Sequence, residues 1–548
     1  MGRPLRISFD ETTIQVVVLC VIVAFVDAKG EMQQRVLKVA LYNEAPEEKL
    51  TNQMSDHIIH AIEEVLDVPR YLIKVFTRDG VYLNELCMMK LCGGKVIDPN
   101  TNREITMRGI YPESINIKCM SHTLDNCGAD YTVRGIKHNR IEGPNAKKIY
   151  NQINGLFSSP GANANIDWKK YAKSTMPSVS PTRWWSREEF WEYLLGFLKF
   201  DAGDTTAWFD DWVQLRVNKL RSDKKSVGSH MAKLEEYFVP GTDGYDEKFL
   251  VTAFVEIAVV VDVSKKVREA TYIIEGDGPI AVMLVEILNT VQRYYSSTYE
   301  YMDYPNVRRH IARAVDTKTL PPGYKAPAMV LVEDAPTPAD EISADSTLTL
   351  SAPSDADQDE NDCPDVAAHP NIAELEVAWD LEDAWKAYCQ QISAPFMKYY
   401  SDMVMSHNCM PLWSAASLAD PLNMHRKTIT PRDLRIAVEP LMKKLISPAL
   451  LDQMIAELSE YEVACNTLNW SDDTYEVRLK KIVVFWQSHK RLPAWTEYAH
   501  AVFLMQPTSA CVERAFSKLK YIMGDQQIRS LSDKIEASLM LRFNRGDK

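Results

Sequence analysis

Eleven consecutive residues, Val16 to Val26, read VVVLCVIVAFV and hold no charge and no polar side chain beyond one thiol. Such a run belongs in a bilayer or in a protein core. It is too short to span a bilayer, which takes about 20 residues. The basic start MGRPLR is compatible with a signal peptide. Yet Asp10 and Glu11 intervene, no small-x-small cleavage pattern follows, and most of the run is β-branched. A strand buried on both faces is therefore expected, and it demands strands on either side. In LRISFD, Leu5, Ile7 and Phe9 alternate as one strand face. After the turn Asp27-Ala-Lys-Gly30, RVLKVALY (Arg35 to Tyr42) is a third strand. Glu47 to Leu66 carries Met54, Ile58, Ile62 and Val65 at helical spacing. YLIKVFTRD (Tyr71 to Asp79) then follows as a fourth strand, parallel to a neighbour because a helix precedes it. Ile115 to Met120 is a fifth. The order β-β-β-α-β predicts an α/β fold, a mixed sheet with helices packed on it.

Beyond the sheet, residues 184–314 are mainly helical in pattern and rich in tryptophan and phenylalanine, which predicts a large helical insertion over 161–320. From 321 to 372 Pro, Ala, Ser, Thr and acids predominate without periodicity, the composition of a disordered linker. Helices resume over 373–548. The linker changes the charge argument. The 548 residues carry −13, but between Ala326 and Trp385 there are sixteen Asp and Glu and no Lys or Arg, and the remainder is +3. Net charge therefore does not exclude DNA. Lys169-Lys170, Lys224-Lys225, Arg308-Arg309 and Lys480-Lys481 are each either phosphate contacts or solvated helix faces. Ten scattered cysteines fit a reducing compartment better than a disulfide framework.

Asp10 ends the first strand and Asp79 the fourth. On neighbouring parallel strands their carboxylates would emerge at one sheet edge, where they repel unless a cation lies between them. Aspartate is also common in turns, so this pair alone favours a structural reading. Near the other end, PTSACVERAFSKLKYI (Pro507 to Ile522) reads as a helix with Val512, Phe516, Leu519 and Met523 on one face and Glu513 beside them.

That segment carries a resemblance. Trp486, LPAWTEYAHAVF, PTSACVERAFS, Arg529-Ser-Leu531 and SLMLRFN, ending at Asn544, together resemble the dimerisation region of the hAT superfamily of cut-and-paste DNA transposases. Val512 stands where the family usually has serine before Glu-Arg. The resemblance implies an RNase H-like mixed sheet with a helical domain inserted before the last catalytic acid. It places the first part of that core in 1–160, and in 373–548 a region that completes it and bears the dimerisation segment, about 484–545. Asp10, Asp79 and Glu513 would then be catalytic residues and ligands of Mg²⁺ (or Mn²⁺), cutting DNA by two-metal phosphoryl transfer. CMSHTLDN supplies the Cys-x-x-His motif as Cys119 and His122, and Arg183-Trp184-Trp185-Ser186 matches an Arg-Trp element. Arg183, Trp184 and His122 would lie near DNA. Trp486, Arg514, Phe516, Leu519, Arg529, Leu531 and Leu539 would serve dimerisation. Cys119, His122 and Cys127 on one helix, without a distant pair, make a poor structural zinc site, and none is expected. The implied setting is the nucleus, with transposon-end DNA and a homodimer or higher homo-oligomer as partners and no membrane. The family's zinc-finger module has no counterpart before Asp10, and Gly-Val-Tyr follows Asp79. The alternative is a domesticated, non-enzymatic protein that acts through C-terminal dimerisation.

Overall fold

The computed structural model describes residues 3–324 and 372–544, apart from 14–16, 43–46, 81, 98–103, 129–130, 134–135, 139–141, 160–162, 180–184, 199–207, 298–303, 427, 443, 471–472 and 524–531. The linker expected over 321–372 thus lies almost wholly outside the described residues. So do Arg183, Trp184, Arg529 and Leu531.

The apolar run forms β2 (Val17–Val26), paired antiparallel to β1 (Leu5–Thr13) on one side and β3 (Met32–Tyr42) on the other. Gly30 turns the chain between β2 and β3 with φ +82°, a conformation that favours glycine. A crossover through the helix Glu47–His60 returns the chain as β4 (Ile73–Arg78), parallel to β1. The helix Tyr82–Cys92 and a hairpin of β5 (Gly93–Ile97) and β6 (Glu104–Arg108) lead to β7 (Ile115–Lys118), parallel to β4. The five-stranded sheet is therefore mixed, in the order β3-β2-β1-β4-β7. That helix and hairpin were not read from the sequence. Tyr82–Cys92 has an almost uniform distribution of apolar residues, which hides its period.

Alternation along the strands sends side chains to two faces. Ile7, Phe9, Leu19, Val21, Ile73 and Phe76 pack with Met54, Ile58, Cys87 and Leu91 of the two N-terminal helices. Opposite them Val18, Cys20, Ile22, Val36 and Val39 meet Val512, Phe516, Leu519 and Leu539 from the last two helices, Ala510–Met523 and Ser532–Asn544. Both faces of β2 are covered, as its composition requires. The free edge of β3 is closed as well: the Val36 N–H donates to Asn544 Oδ1 at 2.7 Å and the Val39 N–H to Glu536 Oε1 at 3.0 Å. Those side chains stand in for a further strand.

The helical insertion begins earlier than the expected residue 161. The helix Pro144–Ser158 already packs in its core, with Trp168, Trp191, Trp212 and Phe254. The 28-residue helix Glu247–Ile274 runs through this core and into the C-terminal one. Two of its buried acids hold the starts of other helices. Glu256 accepts from the backbone N–H of Asn145 and Ala146 and from Tyr388 Oη–H, and Asp262 accepts from the N–H of Asn306 and Val307. No helix among the described residues is long and apolar enough to cross a membrane.

Candidate metal and DNA site

The parallel register of β1 and β4 pairs Phe9 with Arg78, which sets Asp10 beside Asp79 at the C-terminal end of β4. The first strand does not end at Asp10, the end expected from the sequence, but runs on to Thr13 because β2 continues to pair with it. Asp10 points to the face covered by the final helices. Its carboxylate accepts from the Glu11 N–H at 2.8 Å and Asn84 Nδ2–H at 3.3 Å. Asp79 accepts from the Gly80 N–H and pairs with His122 Nδ1 at 3.1 Å.

The third acid arrives on a helix that is fastened from outside. Pro507, Thr508 and Ser509 precede the helix Ala510–Met523, residue types that suit a helix start. This segment is stitched to the turn after β7. The Met120 N–H donates to Pro507 O at 2.6 Å, Ser121 Oγ lies 3.0 Å from Thr508 Oγ1, and the Ser509 N–H donates to Cys119 Sγ at 3.4 Å. Burial pushes the Cys119 thiol up to about 11, so it stays a neutral thiol within this clasp. The Cys-x-x-His motif thus has two local duties: Cys119 holds the segment before Glu513, and His122 holds Asp79. Further along, Arg514 donates to Glu275 O at 2.9 Å and pairs with Asp277 at 3.0 Å. Glu513 is exposed in the first turn of its helix.

Electrostatics unites the three acids. Burial raises the Asp10 carboxyl well above the usual aspartate range, and both Asp79 and Glu513 push it further. A fourth acid, Asp125, is raised to about 9 by burial and then by Glu275, Glu513 and Asp79. Asp125 and Glu275 were missed from sequence. For Asp125 a signal existed, since it stands one helical turn after His122.

Does a divalent cation fit? The donors are hard oxygens suited to Mg²⁺ or Mn²⁺. A buried carboxyl destabilised as an anion by nearby acids is the imbalance a cation removes. Among the described residues, no group of three or more His, Cys, Asp or Glu side chains is close enough to hold a metal ion. The carboxylates share one electrostatic neighbourhood without forming a closed ligand sphere.

The expected dimerisation residues have duties within the chain. Trp486 is buried and donates to Ala419 O at 2.8 Å. Phe516, Leu519 and Leu539 are buried against the sheet. Their apolar stripe faces the chain's own core, because β2 and β3 present an apolar face that has to be covered. In the same segment Arg514 is half-buried, and Val484 and Leu541 are exposed. Set against protein-family models and against curated proteins, the chain matches none, so its assignment rests on its own residues and geometry.

Proposed function

We propose that this chain is a hAT-like, transposase-derived protein whose Asp10, Asp79 and Glu513 bind divalent metal and cleave DNA. The carrying observation is that adjacent parallel strands set Asp10 beside Asp79, while Cys119, Met120 and Ser121, just after the neighbouring strand, hold by hydrogen bonds the segment that leads into Glu513, from the other end of the chain. A mixed sheet with three antiparallel strands and a parallel fourth, bearing the first two acids on neighbouring strands, supports an RNase H-like core. When bound, two Mg²⁺ would activate the attacking hydroxyl and stabilise the leaving oxygen. The chain's own residues do the rest. Asp10, Asp79 and Glu513 would supply the oxygen ligands. His122 orients Asp79, and Cys119 anchors the segment that carries Glu513. The proposed setting is the nucleus, as a homodimer or larger assembly. Association would use side chains of the C-terminal segment that remain open, such as Val484 and Leu541.

The test is nicking of supercoiled plasmid with Mg²⁺ or Mn²⁺. Wild-type protein nicks, chelation stops it, and Glu513→Gln abolishes it while the protein still melts cooperatively. A well-folded wild type that is inert with either metal, yet sediments as a dimer, favours the non-enzymatic alternative instead.

A further inference from the structure

Beside the acids stands a lysine with no part in the scheme above. Lys118 ends β7, and the parallel register sets it next to Arg78. Arg78 is buried and turned inward, with Nη1 donating to Asp79 O at 2.9 Å and Nη2 3.5 Å from Glu85. Lys118 reaches past the sheet edge instead and lies over Gly80, the residue after Asp79. A Cβ placed on Gly80 would sit 2.9 Å from Lys118 Cε, 3.6 Å from its Nζ and 3.3 Å from the His122 ring. The missing side chain of Gly80 is the room that the lysine tip uses. Its ion pair with Glu85 is long, 3.8 Å, and Glu85 is shared with Arg78. A third of the Lys118 side chain faces solvent.

An ammonium is therefore held beside the Asp79–His122 pair, loosely partnered and open on one side. A phosphodiester approaching this edge meets several carboxylates, and each cation that neutralises a phosphate lowers the barrier to its approach. We propose that Lys118 contacts a phosphate of the DNA strand drawn to the acid cluster, exchanging its long pair with Glu85 for that contact while Arg78 retains Glu85. The inference rests on the nuclease reading of the acids and adds a substrate-contacting residue to it.

Two measurements on the full chain test it: binding of a labelled mixed-sequence DNA duplex in Mg²⁺ over a range of salt, and plasmid nicking. Lys118→Ala should weaken binding, flatten the log K against log salt slope by about 0.9, and slow nicking about tenfold or more. Lys118→Arg should restore the slope. Gly80→Ala, which displaces the lysine tip but keeps its charge, should fall between, and Glu85→Ala should bind more tightly. Should Lys118→Ala melt early, Lys118→Gln takes its place. A wild-type salt slope in the alanine or glutamine variant overturns the proposal. So does a Glu85→Ala variant that loses binding as Lys118→Ala does, because the lysine then acts only by holding Glu85. A wild-type chain that neither binds nor nicks removes the nuclease reading along with the inference, and is recognised before any variant is made.

Discussion

Asp10 occupies a place where a negative charge is costly. It is buried, with Asp79 and Glu513 near enough to raise its pKa further. Asparagine keeps its shape and can still accept from Glu11 N–H and Asn84. In metal-free buffer at neutral pH, Asp10→Asn should therefore raise stability by about 1 kcal/mol, as buried acids released from repulsion do. Its nicking should fall to background. A melting temperature that drops instead would mean that the charge is compensated within the fold. Asp125 makes a related prediction in pH. Its folded pKa of about 9 lies above the ordinary 3.8, so the folded chain holds this proton more tightly than the unfolded one. The resulting stabilisation is fully present below the ordinary value and is lost as pH rises through the folded one. In chelator, the wild-type melting temperature should decline between neutral pH and about 9, and Asp125→Asn should flatten that decline. Parallel curves for the two proteins would place the titration elsewhere.

At the scale of elements, the buried Glu256 does the work of an N-cap from a distance. It accepts two N–H groups of the helix Pro144–Ser158 and binds Tyr388 of the helix Ile372–Tyr399. Gly143 precedes the first of these helices, and a Cβ there would lie 2.0 Å from Glu256 Cδ. That carboxylate is pinned by several hydrogen bonds and cannot simply swing aside. Gly143→Ala should cost about 1–3 kcal/mol by overpacking. Glu256→Ala should cost about 1–3 kcal/mol for each buried donor that it strands. Together they should cost less than the sum, since the shortened side chain leaves space for the methyl group. Denaturant titration of the four proteins checks this, and strict additivity would contradict the contact. The helix that carries Glu513 is equally specific. Leu519→Ala opens a cavity against β2 and should cost about 2–5 kcal/mol. The stripe of Val512, Phe516 and Leu519 was legible from spacing alone, but not the surface it covers, because an apolar face reads the same against a partner's sheet as against its own.

For the whole molecule, ligand linkage offers the broadest check. A metal that binds the folded acids at one hundred times its Kd adds about 2.7 kcal/mol to stability. Mg²⁺ or Mn²⁺ should thus raise the melting temperature of wild type but not of Asp79→Asn or Glu513→Gln, and equal shifts in all three would detach the metal from these residues. Much of the architecture could be read along the chain. Val16 to Val26 had to be an internal strand because apolar side chains on both faces need cover on both faces. Asp79 was likewise placed at a strand end by alternation and by the helix before its strand, whereas β1 runs past Asp10 to Thr13. The insertion's start at Pro144 was not legible, since its boundary depends on Glu256, a residue more than a hundred positions later in the chain. Nor were Asp125, Glu275 and Lys118 as neighbours of the acids, or Asn544 as the cover of an edge strand. Local periodicity determined the elements and the faces that had to be buried, because those depend on residues a few positions apart. Which acids share one edge, and which surface each stripe covers, only the tertiary structure decided, because burial and Coulomb's law act through space and take no account of separation along the chain.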